Sequence, residues 1–158
     1  MYILPFLLIS VGIVIFDMVT KLMVTNNMTL GQTIPVIEDV FHITYIENTG
    51  ASFGIFPGAR WFFVVVTVLL IAGVLIYTIH EKENNKIYLL GVSFMIGGGI
   101  GNLIDRVLIG SVTDFFDFCL INFAIFNVAD CFVVVGVILL AIYVIMAEMK
   151  EKKENGKA

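Results

Sequence analysis

Long apolar runs are the feature of this sequence that most constrains its fold. Residues 61–79 contain 19 consecutive uncharged positions and residues 87–104 contain 18, enough to cross a hydrocarbon layer about 30 Å thick. Hydrophobic residues make up 59% of the chain, against about 45 to 50% in soluble domains. We therefore expect a membrane protein whose transmembrane helices cover about residues 4–24, 61–79, 87–105 and 127–147.

The longest polar stretch, residues 25–60, separates the first two predicted helices. Within it, residues 41–48 (FHITYIEN) alternate in a way that predicts short strands. The expected fold class is membrane all-α, with four transmembrane helices and a small strand-containing extracytoplasmic insertion between helices 1 and 2, in a single domain over residues 1–158. Such an insertion could bind an extended peptide by strand addition or merely cap the helix bundle.

The lysines indicate how the helices are oriented. They concentrate in the connection at 80–86 and in the tail at about 148–158. Because cytoplasmic connections of membrane proteins carry an excess of Lys and Arg, both termini are expected in the cytoplasm. The first apolar run is interpreted as a retained helix, since it shows neither the basic start nor the small-residue cleavage pattern of a secretory signal peptide.

Six ionisable residues lie in or beside these apolar runs. A charged group near the bilayer centre costs roughly 2.5 to 3.5 kcal/mol on insertion scales, so such a residue suggests a functional site. The predicted topology places all six near the outer face of the membrane. They are Asp17, Lys21, Asp105, Arg106, Asp114 and Asp130.

Two pairs among these six residues combine an acidic and a basic side chain. Asp17 and Lys21 are four residues apart on one helical face, so they predict either an intrahelical ion pair that lowers the insertion cost or a direct contact with substrate. Asp105 and Arg106 share a face with Asn102, and they predict either a supporting or a chemical role.

Asp114 and Asp130 differ because neither has a cation at helical spacing. Two carboxylates brought together without such a partner share one proton and titrate as a pair. A pair of this kind can hydrolyse a peptide bond, one member taking a proton from water while the other donates one. Asn102 and Asn127 are suitable neighbours to orient the carboxylates or to hold the substrate backbone.

Four segments resemble the lipoprotein signal peptidases of bacteria, the signal peptidase II family, across essentially the whole chain. The segments are DMVTK (17–21), ENTGASFG (47–54), GGGIGNLIDRVLIGSVTDFFDF (97–118) and FNVAD (126–130). The resemblance implies an intramembrane aspartic endopeptidase that removes the signal peptide from diacylglyceryl-modified prolipoproteins, with Asp114 and Asp130 as its catalytic residues. It further implies substrate-binding or supporting roles for Asn48, Gly50, Asn102, Asp105, Arg106, Asn127, Asp17 and Lys21.

The resemblance also implies partners and a location. The expected partners are a lipid-modified prolipoprotein and membrane lipid, and the expected location is the inner (cytoplasmic) membrane of a bacterial cell, with the site near the outer leaflet. No cofactor or metal is expected. The net charge of −4 and the absence of a basic stripe argue against nucleic acid, and a monomer is expected because the predicted site is complete within one chain.

Other chemistries find less support in the sequence. His42 and His80 are far apart and no H-E-x-x-H segment occurs, which disfavours a zinc protease. A serine paired with Lys21 as base would require Ser10, three turns away on the same helix, or Ser52. A small proton-coupled transporter or channel is the alternative from a different class, because intramembrane carboxylates also serve as relays. A structural four-helix scaffold is a third, but it would leave the unpaired aspartates unexplained.

Three further features are expected to be structural. Cys119 and Cys131 are interpreted as small packing residues, with a disulfide as the alternative. The glycines at 97, 98, 99 and 101 predict close packing of helices or lipid and not a nucleotide site. Asp117 is expected to be a solvated surface residue outside the site.

Overall fold

The computed structural model describes residues 3–50 and 56–155, which form four α-helices, three strands and a short 3₁₀ helix at Cys119–Ile121. Ser52 and residues 51–54 of the ENTGASFG segment lie outside the described residues. The elements in chain order are α1 (Ile3–Asn27), β1 (Thr33–Ile37), β2 (Phe41–Asn48), α2 (Arg60–His80), α3 (Lys86–Leu108), β3 (Val112–Asp117) and α4 (Val128–Asn155).

All four helices are long and apolar enough to cross a membrane, and their number agrees with the sequence prediction. Their burial differs strongly: half of the most apolar stretch of α3 is buried inside the protein, against 6% of that of α2. Helix α3 is therefore the centre of the bundle, whereas α2 lies at its edge.

Glycines on α3 allow the neighbouring helices to approach it closely. A Cβ added to Gly97 would lie 2.8 Å from Ile13 Cβ on α1, and one added to Gly98 would overlap the carbonyl oxygen of Ala129 on α4. A side chain at either position would therefore push the neighbouring helix away, so only glycine allows this close approach. The predicted packing role of this glycine run is confirmed at these positions.

Helix α4 is longer than predicted. It begins at Val128 and continues to Asn155, so most of the predicted cytoplasmic tail is helical. The segment alternates Glu and Lys, which are good helix formers and can pair at i, i+4 spacing. This local preference extends the helix beyond the apolar run.

The strands form one antiparallel sheet in the order β1-β2-β3. Strands β1 and β2 lie between α1 and α2, as the alternation at 41–48 predicted for β2, but β3 comes from the α3–α4 connection and was not predicted. Its sequence, VTDFFD, does not alternate, because its first four residues are all buried. The pairing with β2 sets Asp114 opposite Ile46 and Val112 opposite Asn48.

A core cluster beneath the sheet joins it to α1 and α4. It consists of Val24, Met28, Tyr45, Phe115 and Val128. We call this end of the bundle the sheet end, and the opposite end, where residues 81–85 connect α2 to α3, the far end. The cluster fixes β3 against the first turn of α4, so that Asp114 and Asp130 are held in register.

Candidate active site

The first turn of α4 is closed by a reciprocal cap. Asn127 Oδ1 accepts a hydrogen bond from the backbone N–H of Asp130 at 3.0 Å, and Asp130 Oδ2 accepts one from the backbone N–H of Asn127 at 3.1 Å. This is the capping-box arrangement, in which two otherwise unsatisfied helix N–H groups are bound by side chains. The N-x-x-D spacing therefore fixes where the Asp130 carboxylate points.

Asn127 also reaches the other predicted carboxylate. Its side-chain Nδ2 donates to Asp114 Oδ1 at 2.6 Å and lies 3.0 Å from Asn102 Oδ1. The residue is 0% exposed. One buried amide thus contacts both aspartates. Its oxygen accepts from the backbone N–H of Asp130, and its nitrogen donates to the carboxylate of Asp114.

Two further asparagines aim their NH₂ groups at the carboxylates. Asn48 Nδ2 donates to Asp114 Oδ2 at 2.9 Å, and Asn102 Nδ2 donates to Asp130 Oδ1 at 2.7 Å. The oxygen of each amide is occupied by another donor: the backbone N–H of Gly50 for Asn48, and Lys21 Nζ for Asn102. These second contacts settle which end of each amide faces the carboxylate.

Lys21 connects α1 to this network. Its ammonium lies 2.8 Å from Asp17 Oδ2, 3.1 Å from Asp105 Oδ2 and 3.0 Å from Asn102 Oδ1. Lys21 is 4% exposed and Asp17 is 0% exposed, and Asp17 Oδ1 accepts from the backbone N–H of Ala129 on α4. The predicted intrahelical ion pair is present, and it also ties α1 to α3 and α4.

Asp105 and Arg106 have separate partners. Asp105 Oδ2 accepts from the backbone N–H of Thr113, the residue before Asp114, at 3.0 Å. Arg106 donates to the carbonyl oxygen of Gly50 at 3.2 Å, and its guanidinium lies over the ring of Phe63. All predicted site residues are therefore joined in one network, which draws on α1, α3, the end of β2, β3 and the start of α4.

Asp114 and Asp130 both border one cavity of about 210 Å³ at the sheet end. The pKa of Asp114 is raised from its ordinary value of 3.8 to about 7, chiefly by burial and also by the negative charge of Asp130, while the hydrogen bonds from Asn48 and Asn127 lower it. A carboxyl group with such a pKa is protonated in a substantial fraction of molecules near neutral pH and can act as a general acid. Arg106 and the amides of Asn48 and Asn102 also line this cavity.

The apolar part of the cavity wall was not predicted. It consists of Phe63 from α2, Val112 from β3 and Ile125 from the segment before α4, and Thr67 of α2 lies beside them. No sequence signal marks these residues, because an apolar residue beside a site looks the same as one facing lipid.

The remaining candidates lie elsewhere. Asp117 accepts a hydrogen bond from Thr44 across the sheet at 2.7 Å. Ser10 donates to backbone carbonyl oxygens of Phe6 and Ser93 and not to Lys21, whose three contacts are described above.

The two cysteines are free thiols, with Cys119 Sγ 3.6 Å from His42 Nε2. Across residues 3–50 and 56–155, no three His, Cys, Asp or Glu side chains are grouped so as to hold a metal ion.

Comparison with known proteins gives a consistent result. The model of a family described as signal peptidase (SPase) II matches residues 9–146. A lipoprotein signal peptidase of Brevibacillus brevis is 42% identical over 145 residues, covering 92% of this chain and 97% of that protein, and one of Clostridioides difficile is 40% identical over 150 residues, covering 93% and 99%.

Among solved structures, a bacterial membrane enzyme determined by the in meso method at 2.3 Å resolution superposes with a TM-score of 0.84. It is 35% identical, and the match covers 96% of this chain and 90% of that one. A second bacterial membrane enzyme, at 1.9 Å resolution, gives a TM-score of 0.80 with 37% identity, covering 89% and 92%.

Proposed function

The chain belongs to the signal peptidase II family, and we propose that it cleaves diacylglyceryl-modified prolipoproteins just before the lipidated cysteine, using Asp114 and Asp130 as an aspartic dyad. The observation that carries this proposal is the cavity that both carboxylates border, with an amide donor on each of them. The family supplies the substrate class, and the geometry of the cavity supplies the candidate chemistry.

In the proposed reaction, one carboxylate of the dyad is ionised and the other is protonated. The ionised carboxylate takes a proton from a water molecule as the water oxygen bonds to the scissile carbonyl carbon, while the protonated carboxyl donates its proton to the carbonyl oxygen. In the second step, the carboxyl group that took the proton from water gives it to the leaving amine as the C–N bond breaks, and the other carboxylate takes back a hydroxyl proton of the tetrahedral intermediate, which forms the product carboxyl group and restores the dyad. Burial favours the protonated form of Asp114 near neutral pH, so we assign it the acid role and Asp130 the base role for the first step.

The neighbouring residues are proposed to position this pair. Asn48, Asn102 and Asn127 orient the carboxylates with neutral donors, which hold them without the strong stabilisation of the charged form that a cation would give. Arg106 lines the cavity and donates to the carbonyl oxygen of Gly50, and a substrate backbone is proposed to bind beside them.

The ion pair of Lys21 with Asp17, together with Asp105, is proposed to be a support and not a substrate contact. Its members bond to one another and to the groups that carry the dyad. Direct contact with the substrate would require one of these bonds to be given up.

Strand addition at the open edge of the sheet is a weaker way to bind the peptide. Strand β1 forms one edge of the sheet and β3 the other. A strand added at β1 would lie more than about 10 Å from Asp114 at the usual strand spacing, and the outer edge of β3 is already bonded to the backbone of Phe126 at Phe115 and Phe116. The end of β2 and the residues after it, from Asn48 to Gly50, are the nearer candidate.

We propose that both termini face the cytoplasm, since the lysines of the far-end connection and of the last turns of α4 follow the positive-inside rule. The sheet end then lies at the outer leaflet of the bacterial membrane. A monomer is proposed to be sufficient, because the site draws on residues of one chain.

The test is cleavage by the purified, full-length protein in detergent of a prolipoprotein carrying the diacylglyceryl group, beside the same precursor without it. The proposal expects a cut before the modified cysteine, identified by mass spectrometry, and a much slower reaction of the unmodified precursor. Cleavage at other positions, equal rates on both precursors, or ion flux in vesicles without cleavage would contradict it.

A further inference from the structure

A second cavity lies between the same three helices, nearer the far end. Its volume is about 370 Å³, and it is lined by Val74 and Tyr77 of α2, Tyr88 and Val92 of α3, and Leu140 and Val144 of α4. The cavity that Asp114 and Asp130 border is also walled by α2, α3 and α4. Apolar side chains dominate the second cavity, whereas polar side chains dominate the first.

Helical periodicity places both cavities on the same face of each helix. On α2, Phe63 of the first cavity and Val74 of the second are eleven residues apart, about three turns, and the same spacing separates Gly99 from Tyr88 on α3. On α4, Asp130 and Val144 are about four turns apart. The two cavities are therefore the ends of one groove between α2 and α4 with α3 as its floor, which we call the α2–α4 groove.

The middle of this groove is open and apolar. Leu70 on α2 and Val137 on α4 occupy the intervening positions of the same faces, and they are 60% and 50% exposed. Gly73, which borders the far cavity, has open space where a side chain would be. Because α2 is the least buried helix of the bundle, the groove opens sideways toward lipid.

The length of the groove points to its occupant. From Asp130 to Tyr143, which closes the far cavity, the helix rises about 20 Å at 1.5 Å per residue. A signal peptide has an apolar core of about 7 to 15 residues before its cleavage site, and a helix of about 13 residues has this length. A segment seated in the groove would end at the carboxylates.

We infer that the α2–α4 groove binds the apolar core of the signal peptide, and that the distance from the dyad to Tyr77, Tyr88 and Tyr143 sets the length of core that is cleaved best. This inference rests on the proposed function and adds the part of the substrate that is recognised within the membrane. Bulky tyrosine rings at the far end limit how deep the segment extends, while the apolar walls take side chains of varied sequence.

A matched pair of glycines tests the inference. Gly73→Phe fills the groove, whereas Gly12→Phe places the same ring on α1, where a side chain also meets open space. With a diacylglyceryl-modified precursor, Gly73→Phe is expected to raise KM about tenfold or more, equivalent to about 1.4 kcal/mol of binding, and to change kcat little. Gly12→Phe is expected to match the parent.

The parent should also cleave precursors with an apolar core of about 13 residues faster than versions shortened or lengthened by four residues, about one helical turn. Equal KM values for the two glycine variants together with no dependence on core length would overturn the inference and leave the groove to membrane lipid. If the parent cleaves no lipid-modified precursor at all, it is the proposed function that fails.

A crosslinking measurement covers the case in which Gly73→Phe does not fold. A photoreactive residue is placed at Leu70, in the groove, or at Val68, which is 47% exposed and about 160° around the helix from Leu70. Both carry Asp114→Asn so that the precursor stays intact. Crosslinks from position 70 to the signal peptide core, and few from position 68, are expected; equal crosslinking from both positions would contradict the inference.

Discussion

The sheet end and the far end of the bundle both place polar side chains in an apolar environment, but they use them differently. At the far end, the hydroxyl of Thr78 contacts the hydroxyl of Tyr88 at 2.9 Å and donates to the backbone carbonyl of Val74. The hydroxyl of Tyr143 donates to Glu83, and this hydrogen bond lowers the pKa of the Glu83 carboxyl. These contacts join α2 to α3, and α4 to the connection between them, through neutral hydroxyls.

At the sheet end, hydrogen-bonded carboxylates border an open cavity. The amides that hold Asp114 and Asp130 are themselves held by Lys21, Gly50 and the first turn of α4. The difference teaches that a polar group in a membrane bundle is not by itself a site. What separates the two ends is that two carboxylates, Asp114 and Asp130, border one cavity at the sheet end, whereas at the far end the carboxylate of Glu83 bonds to a tyrosine hydroxyl.

The largest expected effect on stability comes from removing the buried cation. Lys21→Met leaves Asp17 and Asp105 without their partner, and breaking a buried ion pair costs about 3 to 5 kcal/mol. We expect a clear fall in the thermal unfolding midpoint in detergent, partly restored in Lys21→Arg. The control is Lys152→Met, an exposed position on α4, which should leave the midpoint unchanged; equal midpoints for the two Met variants would show that the network does not stabilise the fold.

The two ends each contain an asparagine at a helix N-terminus, which allows a direct comparison. Asn127→Ser keeps a capping oxygen for α4 but loses the donor to Asp114, and we expect kcat to fall about 10²-fold, the scale found when one preorganised donor is removed. Asn85 caps α3 at the far end by accepting from the N–H groups of Ile87 and Tyr88. Asn85→Ser should cleave at the parent rate, and a similar loss in both variants would mean that capping alone explains the effect.

The next largest effect is expected on the pH dependence of cleavage. Because the pKa of Asp114 is raised to about 7, its proton is lost as the pH rises through that value, and kcat/KM should fall on the alkaline side. The hydrogen bond from Asn48 favours the charged form and lowers this pKa, so Asn48→Leu should move the alkaline limb to higher pH. A limb that stays in place or moves to lower pH would contradict the assignment of the acid role to Asp114.

The raised pKa of Asp114 also predicts how the stability of the protein varies with pH. Asp114 binds its proton more tightly in the folded than in the unfolded protein, so the free energy of unfolding should fall as the pH rises from about 4 to about 7. Asp114→Asn should flatten this part of the profile in thermal unfolding measurements. An unchanged slope would indicate that another group is responsible.

The smallest expected effect lies at the far end. Thr78→Val removes a hydroxyl that bonds to Tyr88 and should cost about 1 kcal/mol of stability, the usual net value of a hydrogen bond. Because Thr78 itself lines neither cavity of the α2–α4 groove, kcat/KM should not change. If this variant lost cleavage activity without losing stability, the far-end contact would also support cleavage, and the contrast between the two ends would be wrong.

Much of the fold could be predicted because apolar runs report directly on helices that cross a membrane. The capping box of Asn127 and Asp130 was not predicted, although its N-x-x-D spacing is a local pattern. Strand β3 could not be predicted, because it is buried over four consecutive residues and its partner β2 is distant in the chain.

The contacts that the predicted site residues make with one another also could not be predicted from the sequence. Asp105 and Arg106 are neighbours in the chain, yet one contacts Lys21 and the backbone of Thr113 while the other contacts Gly50. Which end of each asparagine amide faces a carboxylate depends on contacts between separate elements. Spacing along one helix identifies a shared face, but it does not say what that face meets.

The central claim is that Asp114 and Asp130 act as a pair, and cleavage of a diacylglyceryl-modified precursor by Asp114→Asn and Asp130→Asn tests it most directly. Asp117→Asn is the matched control, since Asp117 lies on the same strand but bonds to Thr44 across the sheet. The account predicts that each dyad variant folds yet loses at least about 10³-fold in kcat, while the Asp117 variant cleaves as the parent does. Cleavage at the parent rate by either dyad variant would contradict it.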